Sequence, residues 1–405
     1  MRPNMPDASI VLDHEFLQDP HRLYTKLREE APAHRVVSPD GLSAWLVTDY
    51  EHAAALLNDP RLRKDAQGAA PLFVRHLRDP ERAIGQDINT NLLTSDPPDH
   101  TRLRRLVNKA FTPRTVERLR PRIEQIADEL LDAIPDGTTV DLIEALAYPL
   151  PTTMICELLG VPAEDRTRFG AWTSAMLASE ADAQQVRDAG VNMGGYLAQL
   201  VADKRVHPGD DVITALVRAR DDEDRLNEVE LTSMAFNLLV AGLETTVNLI
   251  GNSAFALLAN PAALAALRAD PAQLPAAVEE FLRYEPPLYV STLRYTAEPV
   301  AVGEVTIPEG EFVLVSLSAA CRDPRRFPDP DSLDFGRGTT GHLAFGYGIH
   351  YCIGAPLARM ETEVLFRKLI ERFSVWSPAV PLTELRWRHS WIIRGLERLP
   401  VRFGR

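Results

Sequence analysis

The sequence predicts a mainly α-helical fold with minor β-sheets, and three observations carry that prediction. Apolar residues recur three and four positions apart, as in Ile123, Ile126, Ala127, Leu130 and Leu131 and again in Val364, Leu365, Leu369 and Ile370, which is the period of an amphipathic helix. One such segment, from Asn227 to Asn260, is long enough to span about 50 Å. Strand-like runs are few and short, and they lie where Pro and Gly punctuate the chain.

Taken in order, a short lead (1–14) precedes the first strand-like run, Ala44 to Val47. Helical patterning follows through Ile123–Leu131 to the long segment, which Pro261 closes because proline cannot continue a helix. Its centre, Ala241-Gly242-Leu243-Glu244-Thr245-Thr246, is unusual: glycine, a carboxylate and two β-branched hydroxyl residues are poor choices for a buried helix. Two further strand runs, Val300 to Ile307 and Phe312 to Leu317, lead into a Pro-rich stretch, Asp323 to Asp331, that reads as an ordered meander. No internal repeat or linker divides the chain, so a single domain over 1–405 is expected.

The 44 Lys+Arg and 57 Asp+Glu give a formal charge of −13. An acidic total argues against a dedicated nucleic-acid binder. With 45% hydrophobic and 25% charged residues, the chain can bury a large core and is not intrinsically disordered. The start, MRPNMPDASIVLDHEF, lacks a basic n-region and an apolar h-region, and the most apolar stretch, Ser233 to Ala259, is interrupted by Glu244 and three asparagines. The three cysteines, Cys156, Cys321 and Cys352, are odd in number and far apart, which suits a reducing compartment. A cytoplasmic protein without a membrane anchor is the expectation.

Chemistry concentrates in Phe345-Gly346-Tyr347-Gly348-Ile349-His350-Tyr351-Cys352-Ile353-Gly354, which runs into a helix at Ala355-Pro356. Glycines let the backbone pass close to a flat ligand, and amides at a helix start stabilise a thiolate. Cys352 is thus a candidate ligand for a soft metal, or else a buried cysteine in a Gly-rich turn. Zinc is disfavoured, because only His350 lies near and it is too close. On another helix Arg283 can pair with Glu280 at i,i+3 or with Glu279 at i,i+4.

Here the sequence resembles the cytochrome P450 family of haem-thiolate monooxygenases, specifically its soluble bacterial members. The pattern Phe-x-x-Gly-x-x-x-Cys-x-Gly is matched by Phe345, Gly348, Cys352 and Gly354, and four further motifs follow the family's order over roughly residues 15–403. The resemblance implies the family's fold, with haem b (iron protoporphyrin IX) between the long distal helix and the proximal Cys loop. It implies Cys352 as axial thiolate, Phe345 packed beside the sulfur, and Gly354 among the glycines whose amides bond it. Thiolate ligation favours O–O cleavage.

Residues 241–246 resemble the family's kinked oxygen-activating segment. Ala241 and Gly242 are then cofactor neighbours, Gly242 leaves room for O2, and Glu244 and Thr245 deliver protons. Hydrogen bonding of Thr245 back to the carbonyl four residues earlier is the structural alternative. The family match selects Glu280 and Arg283, with Arg337 as third member, for a structural lock. His100, Arg104, Arg294 and His350 match the contacts to the two haem propionates.

Residues 100–122 hold eight Lys or Arg against one acid, Glu117. This is a solvated helix face or, as the resemblance implies, a docking face for an acidic ferredoxin or flavodoxin that passes on electrons, ultimately from NAD(P)H, through its reductase. Arg105, Lys109 and Arg114 are its candidate residues. The segments matching the family's substrate contacts are 71–93, 169–201, 236–240, 287–292 and 391–393. Their apolar side chains include Leu92, Leu93, Met176, Leu177, Phe236, Leu239, Val240, Leu288, Val290 and Ile392, with Asn91, Asn237 and Ser291 as polar anchors. A sizeable hydrophobic substrate is implied, hydroxylated or epoxidised in secondary metabolism, such as antibiotic biosynthesis, on a macrolide or other polyketide, a terpene or a steroid. A peroxide-driven peroxygenase or a non-catalytic haem-thiolate sensor are the alternatives; neither has a use for both the Glu244–Thr245 pair and a basic docking face.

Overall fold

The computed structural model describes residues 10–78, 91–177, 183–221 and 224–405. Five helices position the site: α1 (Asp99–Ala110), α2 (Pro149–Leu159), α3 (Glu228–Ala259), α4 (Leu274–Tyr284) and α5 (Ala355–Arg372). The long segment is thus the 32-residue helix α3. Its start is set locally by a capping box: the Asn227 side chain accepts from the Glu230 N–H at 2.9 Å, and the Glu230 carboxylate accepts from the Asn227 N–H at 2.9 Å. By length and composition α3 could cross a membrane, but 67% of its most apolar window is buried by the rest of the fold. It is the core helix around which the largest apolar cluster packs.

α3 is helical throughout the segment 241–246. Gly242 has a packing role there, because a Cβ on it would lie 2.9 Å from the Cδ1 of Ile155 on α2. Its missing side chain lets the two helices approach.

The main sheet has six strands, β1 (Ile10–Val11), β2 (Ala33–Val37), β3 (Ser43–Val47), β4 (Leu62–Arg63), β5 (Arg294–Thr296) and β6 (Phe312–Val315), ordered β1-β2-β3-β6-β5-β4. In the antiparallel pairing of β4 with β5, Leu62 faces Thr296 and Arg63 faces Tyr295. The run Val300–Ile307 is a hairpin of Val300–Val302 and Val305–Ile307, turning at Gly303 with φ +57°. The run expected to extend to Leu317 stops at Val315, because the Ser316 side chain accepts from the Ala319 N–H and caps a short helix, Leu317–Cys321.

The meander is tied to α4 through a buried ion triad. Arg283 donates to both carboxylate oxygens of Glu280, at 2.7 and 2.8 Å, and neither side chain is exposed (0%). It also donates to the carbonyls of Cys321, Pro330 and Ser332. Arg337 reaches Glu280 at 3.3 Å. Geometry therefore selects Glu280 over Glu279, whose carboxylate instead binds Arg359 of α5 and, at 3.0 Å, His342.

Candidate active site

The Cys loop closes on itself through the Cys352 N–H, which donates to the Phe345 carbonyl at 3.0 Å. Its last residues, Ile353 and Gly354, deliver Cys352 to the start of the 18-residue α5. Burial pushes the pKa of the thiol up, while the amides of Gly354 and Ala355, hydrogen-bonded to the sulfur, and the charges of Arg104 and Arg359 pull it down. A thiolate here has donors and cations already aimed at it. Phe345 lies under the Arg359 guanidinium, 4.5 Å from its ring centroid, and Glu279 clamps that guanidinium from the other side. Of the other cysteines, Cys156 and Cys321 are fully buried, and burial pushes their thiols to about 11 and about 12, as packing residues require.

His100, Arg104, Arg294 and His350, 250 residues apart in sequence, converge beside this loop. The His100 and His350 rings are 4.3 Å apart. Burial and neighbouring cations push His100 down to about 4 and His350 to about 2, so both are neutral near pH 7. The buried Nε2 of His100 has no hydrogen-bond partner, and Arg104 has neither hydrogen bond nor ion pair among the described residues. The Arg294 side chain, in a residue 3% exposed, bonds Ser291 and the Thr292 carbonyl and meets no carboxylate among the described residues. An orphaned buried imidazole beside unneutralised guanidinium groups is a site built for an anion. Sequence reasoning missed one member, Lys64, which lies buried in the same cluster and is felt by both histidines. A cleft of about 460 Å³ lined by His100, Thr101, Arg104, Arg105, Asn108, Lys109 and Ile349 opens at the edge of this cluster.

The helix α3 is buried on all sides from Thr246 to Ala254, yet Phe236, Asn237, Val240, Ala241, Gly242 and Thr245 keep some exposure. All but Gly242, which packs against α2, fall on one half of the helix circumference. The Thr245 hydroxyl donates to the Ala241 carbonyl at 2.7 Å, so the structure shows the back-bonded arrangement. Glu244 lies among them on the helix, and its carboxylate, 1% exposed, is bonded by Arg388, whose side chain is 36% exposed and reaches solvent. Nothing local in the sequence links these two residues.

The apolar residues divide. Phe236, Val240, Leu93, Leu288, Met176 and Ile392 are partly exposed, whereas Leu239 (0%), Val290 (2%) and Leu92 (6%) belong to the packed core. Leu239 is a correction: it is fully buried (0%) within the largest apolar cluster. Asn91 and Ser291 are corrected too: the Asn91 side chain accepts from the Leu93 and Thr94 amides in a local turn, and Ser291 holds Arg294. The side chain of Leu177 and residues 79–90 lie outside the described residues.

The basic run is also smaller than its count. Arg102 pairs with Glu230, Arg118 with Asp210, Arg120 with Glu117 and Arg122 with Glu157. Arg105, Lys109 and Arg114 are exposed, as are Tyr347, Ile349 and Tyr351 of the Cys loop, and Arg105, Lys109 and Ile349 line one cleft.

Known proteins share this architecture. A family model described as cytochrome P450 matches residues 196–387. Cytochrome P450 107B1 of Saccharopolyspora erythraea is 52% identical over 403 residues, covering 99% of this chain and 98% of that protein. The 6-deoxyerythronolide B hydroxylase of the same organism is 46% identical over 396 residues, covering 96% of each. The tirandamycin C-bound structure of the P450 monooxygenase TamI matches with a TM-score of 0.91 at 49% identity, covering 98% of this chain and 100% of that one. Agreement of this extent along the whole chain shows that it belongs to the cytochrome P450 family and is one of its haem-thiolate monooxygenases.

Proposed function

We propose that Cys352 is the thiolate ligand of haem b, and that the protein inserts one oxygen atom of O2 into a sizeable hydrophobic substrate as a tailoring step in secondary metabolism. The observation that carries this is the cation cluster with its orphaned imidazole beside the Cys352 loop, because it fits a flat ligand bearing two carboxylates and a metal that takes a thiolate. When bound, haem supplies the reductive activation of O2 that oxidises the substrate.

The chain's own residues do the rest. The Gly354 and Ala355 amides hold the Cys352 sulfur as thiolate. His100, Arg104, Arg294 and His350 bind the propionates. The exposed face of α3 presents Phe236, Val240 and Ala241 to the substrate and excludes water from its apolar part. Thr245 Oγ1 turns from the Ala241 carbonyl to deliver a proton on the cavity side, and Glu244, in contact with solvent through Arg388, replenishes it.

Electrons arrive from a ferredoxin or flavodoxin docking on Arg105, Lys109 and Arg114 around Tyr347, Ile349 and Tyr351. The 6-deoxyerythronolide B that one relative hydroxylates and the tirandamycin C bound to another support a macrolide or other polyketide as the substrate class. Product formation from such compounds with ferredoxin, reductase and NAD(P)H, compared with peroxide alone, tests the reading. Turnover confined to the reductase arm is expected; turnover with peroxide alone would make the protein a peroxygenase, and turnover in neither a sensor.

A further inference from the structure

Lys64 has no part in the family resemblance and no nearby motif announces it. Its side chain is 6% exposed, a state in which lysine is rare unless paired. Among the described residues its ammonium donates to the Thr292 hydroxyl at 2.6 Å and reaches no carboxylate. The backbone is pinned there, because the amides of Lys64 and Asp65 both donate to one carboxylate oxygen of Asp96, at 2.9 and 3.1 Å.

The sheet register explains where the side chain goes. Leu62 faces Thr296 and Arg63 faces Tyr295, so the same register carried one residue past the end of β4 brings Lys64 to the side of Arg294, whose charge acts on it. Two cations side by side at a strand pair repel and destabilise the sheet unless an anion joins them. The balance of charge says how much anion is missing. Lys64, Arg104 and Arg294 bring three cationic side chains to the orphaned Nε2 of His100, and Asp96, held by the Lys64 and Asp65 amides, is the acid beside them. Three positive charges against one negative leave two, the charge of two propionates. Without that anion, burial and Arg294 pull the Lys64 ammonium well below its ordinary range.

We infer that Lys64 is a further cofactor-holding residue of this enzyme: its ammonium, beside Arg294 at the end of β4, binds a haem propionate and supplies the third cation that makes the site neutral. This rests on the haem reading of Cys352 given above. Thr292 is then the positioning residue that aims Lys64, and Asp96 the one that fixes its backbone.

The test uses the holoenzyme. Haem transfer to excess apomyoglobin measures how fast haem leaves. Lys64→Met should lose haem about tenfold faster than wild type or more, the value of one charge-assisted hydrogen bond, whereas Lys64→Arg should stay within about threefold. Loss of a positive charge beside the haem favours the ferric state, so the midpoint potential of Lys64→Met should also fall. Should Lys64→Met fold poorly, Lys64→Gln carries the same test through the propionate bending band in the resonance Raman spectrum, which a contact to propionate requires to shift. Wild-type haem retention and potential in Lys64→Met, or an unmoved band in Lys64→Gln, overturns the inference. A wild-type protein whose reduced, carbon-monoxide-bound spectrum lacks the thiolate signature overturns the Cys352 reading instead, so the two failures are distinguishable.

Discussion

Replacing Arg283 by methionine should be among the most damaging single changes available outside the haem contacts. The guanidinium is fully buried (0%), makes two bonds to Glu280 at 2.7 and 2.8 Å, and satisfies the carbonyls of Cys321, Pro330 and Ser332. Its removal leaves a buried carboxylate with only Arg337 at 3.3 Å and the Asp334 amide at 3.0 Å. Breaking a buried pair from one side costs about 3–5 kcal/mol, and the orphaned carbonyls add to that. Arg337→Met removes a longer contact to Glu280 and donors to the Pro328, Asp329 and Ser332 carbonyls, from a side chain already 10% exposed, and should cost less, about 1–3 kcal/mol. Urea unfolding of the purified holoproteins, followed by tryptophan fluorescence and Soret absorbance, measures both. Because the damage is an unpaired charge, the double variant Glu280→Leu/Arg283→Met should recover about 2 kcal/mol or more of the loss. A single Arg283→Met variant within about 1 kcal/mol of wild type, or a double variant with no recovery, would refute the reasoning.

Three further outcomes follow. Burial raises the Glu361 carboxyl from its ordinary 4.5 to about 8, so folding takes up a proton there. That contribution is fully present below pH 4.5 and is lost as pH rises through about 8, by up to about 5 kcal/mol; Glu361→Gln should flatten this fall in an unfolding series across pH. Thr245→Val keeps the shape of the side chain but removes the proton donor, so reductant consumption should continue while product per NAD(P)H drops by about tenfold or more; an unchanged yield excludes the proton role. Charge reversal at Arg105 and Lys109 should slow reduction by ferredoxin and weaken its salt dependence, whereas reversal at Arg118, which Asp210 already pairs, should do little; equal effects would mean that general charge, not a docking face, is at work.

What could be read from the sequence was mostly local. The ends of α3 are written in Asn227, Glu230 and Pro261, each within a turn of the boundary it sets. Cys352 and its glycines are contiguous, and Glu280 and Arg283 share one helical turn. What could not be read depends on contacts between distant segments. Lys64 meets Arg294 only because β4 and β5 pair in one register, and Glu244 meets Arg388 across 144 residues. Arg102, Arg118 and Arg122 looked like free surface charge until the fold brought Glu230, Asp210 and Glu157 to them. Leu239 shows the same limit in an apolar residue: its type suits a pocket or a core equally, and only its face on α3 decides.

The central claim is that Cys352 provides a thiolate to haem iron, and the absorption spectrum of the reduced, carbon-monoxide-bound protein tests it most directly. The account predicts the strongly red-shifted Soret band of thiolate ligation in the wild-type protein and its loss in Cys352→His. A wild-type band without that shift, or a Cys352→His protein that keeps it, would contradict the account.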